Sequence, residues 1–326
     1  MKKHFIAAAV ILMAGAVRAQ SGQYKILKTF QAGGDGKWDY IALNPVTNQL
    51  YASHGTQVNI LDKNTGDSTG VIPNTTGVHG IAFAEKFKKG YTSNGKLNTV
   101  TVFDIKTNKV LGEIKTGANP DAIMYEPFSG KIITCNGGSK NLSLIDPATD
   151  KVVATIELGG RPETAVSDEK GNIYINLEDK SQITKVDLRQ QKVTATWPLG
   201  KGEAPTGLAI DLHTRRLFAG CDNKLLVIMD ADNGKVIADL PIGDGCDGVA
   251  FDAAEKNIYA SNGEGTLSVI HEAGADKYQP VATVATHKGA KTLTIDPSTH
   301  HIYLPFAERN GSTVVPGTFR VLEVGK

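Results

Sequence analysis

The chain has 326 residues, 40% of them hydrophobic and 21% charged, with a formal net charge of +1. So near-neutral a total excludes bulk attraction to nucleic acid or to an anionic membrane, leaving only local patches for such contacts. Three cysteines, an odd count, leave at least one thiol unpaired and exclude a fold built on a disulfide framework.

The chain opens with MKKHFIAAAVILMAGAVRAQ. Lys2 and Lys3 make a positive start, Phe5 to Ala16 is apolar, and Val17-Arg18-Ala19 fits the approach to a cleavage site. A secretory signal peptide over residues 1–19 is expected, followed by one domain over 20–326 and a periplasmic or secreted destination. Losing Lys2, Lys3 and Arg18 would leave 32 basic against 34 acidic side chains. No later apolar run approaches the roughly 20 residues of a membrane-spanning helix.

Beyond the leader the sequence repeats. VTVFDIKTNKVLGEIKTG at Val100 to Gly117 returns as LSLIDPATDKVVATIELG at Leu142 to Gly159. In chain order, seven segments read YIALNP, GIAFAE, AIMYEP, TAVSDE, LAID, VAFD and LTIDP. Each is followed by a second apolar segment: QLYAS, KGYTS, KIITC, NIYIN, RLFAG, NIYAS and HIYLP. Third segments include VNILD, VTVFD, LSLID, ITKVD, LLVIMD, LSVIH and FRVLEV, and a fourth ends most copies. Apolar alternation with abundant Val and Ile, broken by Gly, Asn, Asp and Pro, predicts short antiparallel strands joined by turns. A period near 42 residues predicts propeller blades. The last copy stops at its third strand, Phe319 to Val324, while Tyr24 to Phe30 is a fourth strand without partners. The expectation is an all-β seven-bladed propeller of four-stranded antiparallel blades, with 3+1 closure through the N-terminal strand removing the open edges.

IYASNGEGTLSVI at Ile258 to Ile270 and NTVTVFDIKTNKVLGEIKTG at Asn98 to Gly117 resemble the YVTN-repeat family of seven-bladed propellers, whose shape is shared by WD40-like, lactonase-like and quinoprotein-like propellers. The resemblance runs through essentially the whole chain after the leader. It implies repeat architecture and export, in a family that includes suspected nucleic-acid binders, and it supplies no residue-by-residue catalytic set.

The repeat also predicts a site. The position two before the first apolar residue of each first strand holds Asp39, His79, Asp121, Glu163, Thr206, Asp247 and Lys291 in turn. Seven radial copies put these residues around one channel mouth, and four are carboxylates. Such crowding raises a pKa or recruits a cation. Asp39, Asp121, His79 and His54 are the candidate ligands of a divalent metal: oxygens suit calcium or magnesium, whereas zinc or another transition ion also uses the imidazoles. Caps to loop amides, a partner for Lys291, or anchors for water are the structural alternatives. Trp38 beside Asp39, with Tyr40, Phe306, Lys37, Arg161 and Lys291, offers stacking and positive charge for exposed bases. The acidic ring opposes a nucleic acid, so packing or a small polar ligand is the preferred role for Trp38.

Cys221 and Cys246 stand 25 residues apart on neighbouring blades, like His54 and His79, and a disulfide between them is a candidate. Cys135, two blades away, reads as a buried thiol. The glycines of Asn262 to Leu267 fit hairpins rather than a nucleotide loop, Thr299 to His301 is a turn on the opposite face, and no nucleophile elbow is present. Two functions follow. The first is an exported monomeric propeller that binds a small polar ligand or a cell-envelope macromolecule on the mouth face. The second is a metal-dependent hydrolase or lactonase, with a cation polarising a carbonyl and His79 or His54 moving a proton.

Overall fold

The computed structural model describes residues 23–44 and 46–326; the expected signal peptide lies outside the described residues. Seven four-stranded antiparallel sheets succeed one another as blades. The first consists of Trp38–Asn44, Gln49–His54, Gln57–Asp62 and Ser68–Ile72, from the channel outward. The pattern recurs to the sixth blade, Cys246–Asp252, Asn257–Asn262, Thr266–Gly274 and Lys277–Ala285. In the seventh, Thr294–Asp296, His301–Phe306 and Arg320–Gly325 are followed outward by Lys25–Gln31, which runs antiparallel to Arg320–Gly325.

The expected closure needs correction. Among the described residues no sheet is closed by hydrogen bonds: each blade is an open sheet with an inner and an outer edge. Lys25–Gln31 therefore does not remove the open edges, because it becomes an outer edge itself. What completes the ring is side-chain packing between faces. Innermost strands of successive blades touch, and that of the seventh touches that of the first. This follows from the sequence pattern, since alternating apolar residues give each blade two faces to bury.

Burial is greatest in the second strands. Tyr51, Tyr91, Tyr174, Tyr259 and Tyr303 occupy the same place in five blades, and Phe218 takes it in another; all are fully buried. A large apolar side chain so buried contributes about 1.5–3 kcal/mol. The tyrosine hydroxyls have partners, as in Tyr51 to Asn108 Oδ1 (3.0 Å) and Tyr91 to Asp150 Oδ1 (3.1 Å), which satisfies the polar end of each ring. Fourth strands alternate exposed and half-buried residues, as in Lys151–Glu157. No helix among the described residues is long and apolar enough to cross a membrane.

Candidate functional site at the channel mouth

The seven mouth positions lie at the start of the innermost strands or just before it. In the first six blades the pairing between first and second strands slips there: between Trp38 and Ile41, Val78 and Ile81, Pro120 and Ile123, Pro162 and Ala165, Pro205 and Leu208, and Cys246 and Gly248. A slip of this kind bends the strand, re-aims a side chain and leaves backbone groups unpaired. Hydroxyls and an amide take up those groups, mostly across blade boundaries. Ser93 Oγ accepts from Gly80 N (2.8 Å) and donates to the carbonyl of Asp121. Ser261 donates to Lys291 O (2.5 Å), Thr206 to Cys246 O (2.5 Å) and Thr292 to Asp39 O (2.6 Å). Asn176 Nδ2 donates to Thr206 O (3.1 Å). The mouth backbone is thus held by neighbouring blades, which the repeat alone did not reveal. The small polar residues Ser53, Ser93, Asn176 and Ser261, at one place in the second strands, were the available signal.

Around the ring the mouth residues run Asp39, His79, Asp121, Glu163, Thr206, Asp247, Lys291, all titratable but Thr206. His79 Nδ1 lies 2.6 Å from Asp39 Oδ2 and 3.5 Å from Asp121 Oδ1. Lys291 Nζ pairs closely with Asp247 and stands 3.5 Å from Asp39 Oδ1. Arg161 reaches Glu163 (2.9 Å) and Glu178 (2.9 Å) from the rim. Asp39, Asp247 and Glu163 therefore each have a close cation. Asp121 has only His79, at 3.5 Å and closer to Asp39; it is 6% exposed, and its Oδ1 has no hydrogen-bond partner.

The protonation preferences follow. Burial pushes Asp121 up to about 7, with Asp39 adding to the effect against His79. Burial, then the Asp121 charge, pushes Glu163 up, with Arg161 pulling the other way. Burial also acts to raise Asp39, but Lys291 and His79 outweigh it and hold that carboxyl below its ordinary value. His79 is the mirror case: burial lowers it, and Asp39 and Asp121 more than restore the charge. Tyr40, half-buried with its hydroxyl 3.5 Å from Thr164 Oγ1, is raised by desolvation and then by Asp121 and Glu163.

Two spaces adjoin the ring. A cleft of about 700 Å³ is bounded by Trp38, Asp247, His287, Lys291, Glu308 and Arg309, among others. A cavity of about 150 Å³ has a largely apolar lining that includes Tyr40, Ile81, Met124, Ile133 and Cys135. One wall of the cleft comes from an insertion between the second and third strands of the seventh blade, which carries the small hairpin Arg309–Asn310 and Thr313–Val314. Arg309 lies over the Trp38 ring at 5.0 Å, and Trp38 Nε1 donates to Gly289 O (3.0 Å). Trp38 is buried as part of the wall.

The structure brings Asp39, His79 and Asp121 together and leaves His54 apart. His54 is fully buried, stacked on Phe319 at 4.0 Å, with Nε2 3.1 Å from Gly36 O. Burial lowers its pKa, and its role is to hold the segment before the first blade. Cys221 and Cys246 are free buried thiols here, as is Cys135, so the candidate bridge is not formed. Cys246 packs against Gly220, where an added Cβ would meet its sulfur at 2.5 Å, and Cys221 packs against Gly202.

Comparison with known proteins adds the fold. No family model matches the chain, and no curated protein matches it. Among solved structures it is similar to the Kuenenia stuttgartiensis hydrazine synthase, with a TM-score of 0.74 and 18% identity, over 83% of this chain and 92% of that one. At that identity the likeness shows shared architecture alone. The chain is a seven-bladed β-propeller whose mouth gathers four carboxylates, an imidazole and a lysine.

Proposed function

We propose that this chain is an exported binding propeller of the YVTN-repeat kind that takes a small, cation-bearing ligand at the channel mouth. The observation that carries the reading is Asp121 Oδ1, buried and without a hydrogen-bond partner, with only the shared His79 imidazole near it at 3.5 Å. A buried carboxylate in that state is costly, and an incoming positive group relieves it. The adjoining cleft gives such a ligand room beside Trp38 and Arg309. Recognition on a stitched, preorganised ring needs little rearrangement, which favours affinity.

The test is calorimetric titration of the mature chain with small ammonium and guanidinium compounds, such as spermidine and arginine amide, and with divalent cations. At least one should bind once per chain and lose tenfold or more in affinity in Asp121→Asn. Cation binding indifferent to that substitution, or no cation binding at all, would refute the reading. A hydrolase has the Asp39, His79 and Asp121 cluster in its favour, because a cation there would activate water or polarise a carbonyl. Ester and lactone turnover, present with a divalent cation and absent without it, would replace binding by catalysis.

A further inference from the structure

We propose that Asp39, His79 and Asp121 form a mononuclear site for a divalent transition cation of the zinc or manganese type at the channel mouth. This rests on the recognition reading above and identifies its positive group.

One donor atom from each residue can be chosen so that all three lie within 4.8 Å of one another. Ligands about 2.0–2.2 Å from a shared cation sit roughly 3–4 Å apart, so side-chain rotations and no backbone movement would complete the site. The second observation is independent of the clustering. Asp121 Oδ1 is buried, has no hydrogen-bond partner and lies 3.5 Å from His79 Nδ1, the donor a metal would share.

The scaffold around the three is already fixed. They come from the innermost strands of three consecutive blades, and the carbonyls of Asp39 and Asp121 are tied by Thr292 and Ser93. Gly95 supports the imidazole from behind: a Cβ there would meet His79 Nε2 at 2.7 Å and Asn119 Oδ1 at 2.6 Å. With Nε2 facing Gly95, Nδ1 is the nitrogen turned toward both carboxylates.

Charge and chemistry select the ion. Two carboxylates neutralise a divalent charge inside a poorly solvated mouth, and one imidazole favours a transition ion over calcium or magnesium. Lys291 competes for Asp39, but its closer partner is Asp247, so it keeps a counter-ion when Asp39 turns to a metal. Three protein donors leave coordination positions for water or for an oxygen of a bound ligand.

The experiment is titration of untagged mature chain, stripped by chelating resin, with ZnCl₂, MnCl₂ and CaCl₂ separately. Saturable uptake of one Zn²⁺ or Mn²⁺ per chain is expected, at least 100-fold weaker in Asp121→Asn and His79→Gln and unchanged in Asp67→Asn, an exposed residue just before the outer strand of the first blade. Circular dichroism checks that the variants fold. Co²⁺ on the unmodified chain supplies a second readout, since visible absorption bands on stoichiometric addition report a site with nitrogen and oxygen donors. No saturable Zn²⁺ or Mn²⁺ uptake, uptake indifferent to both substitutions, or Ca²⁺ binding as tightly as either would overturn the proposal. Organic cations bound in an Asp121-dependent manner without metal uptake would overturn the metal site and leave the recognition reading standing. Failure of both kinds of cation would remove both.

Discussion

The two ends of the innermost strands carry the same residue types and treat them oppositely. Asp121 and Glu126, Glu163 and Asp168, and Asp247 and Asp252 are each five residues apart along an innermost strand or, for Asp168, just past its end, one at the mouth and one at the far rim. At the far rim the carboxylates accept backbone N–H groups of the following turn. Asp168 Oδ1 takes Lys170 N (2.8 Å) and Asn172 N (2.9 Å), Asp252 takes Ala254 N (3.0 Å), and Asp296 takes Ser298 N (2.9 Å) while its other oxygen meets Lys63 Nζ at 2.5 Å. Burial raises Asp296, but Lys63 and Ser298 outweigh it and bring it down to about 2. Asp121, also buried, goes up to about 7: burial raises it first, Asp39 adds to the rise, and no turn amide serves its oxygens to offset them. Burial alone does not decide whether an acid is structural. What faces its oxygens does.

The largest effect should come from breaking the satisfied end. Lys63 and Asp296 are both almost fully buried, so Asp296→Ala leaves an ammonium without its counter-ion and a turn without its acceptor. Removing one member of such a pair destabilises by about 3–5 kcal/mol. Urea unfolding of the two chains measures it, and a loss under about 1 kcal/mol would mean that the far rim is no better satisfied than the mouth.

The unsatisfied end should give the opposite sign. The Asp121 carboxyl titrates near 4 when unfolded and near 7 when folded. Between those values the folded chain holds a proton that the unfolded chain has released, so rising pH favours unfolding, and the penalty is complete above about 7. Asn cannot titrate, so in metal-free buffer the stability of Asp121→Asn relative to the unmodified chain should rise by about 2–4 kcal/mol from pH 4 to pH 8. Asp296 runs the other way. Its stabilisation is present above pH 4 and is lost as pH falls toward 2, where the unfolded chain takes up the proton first. Urea midpoints for both chains at pH 4, 6 and 8 decide the matter. Parallel curves would show that Asp121 is not strained by its surroundings.

Blade number, the four strands of each blade and the grouping of Asp39, His79 and Asp121 were legible in the sequence, because a fixed period converts position in the repeat into position around an axis. That carried Asp39, His79 and Asp121 to one place without any local motif. Three things were not legible. The slipped pairing at the mouth depends on interblade hydroxyls such as Ser93 and Ser261, whose partners belong to another copy of the repeat. His54 has the same spacing to His79 as Cys221 has to Cys246, yet its ring turns onto Phe319, which comes from the last blade. The wall over Trp38 comes from an insertion in one blade, and a repeat cannot announce its own exception.

The smallest effect is expected where the mouth holds two thiols rather than acids. Cys221 and Cys246 lie in adjacent blades, but each sulfur is directed to its own strand, with Ala219 O and Gly248 O both at 3.7 Å from the respective Sγ. Burial pushes Cys221 up to about 12, and Cys246 is raised further by burial and then by Asp247. Exchange proceeds through the thiolate, which both environments suppress. A reductant should therefore leave the thermal midpoint within about 1 °C, since a constraint absent from the fold cannot be lost; a native bridge would contribute about 2–4 kcal/mol. Thiol counting with a chromogenic disulfide makes the same distinction chemically. The folded chain should react slowly at all three cysteines, and the denatured chain should release three equivalents. One equivalent on denaturation would show that the two blades are covalently joined, and the mouth would then owe part of its rigidity to that bond rather than to the carbonyl stitches alone.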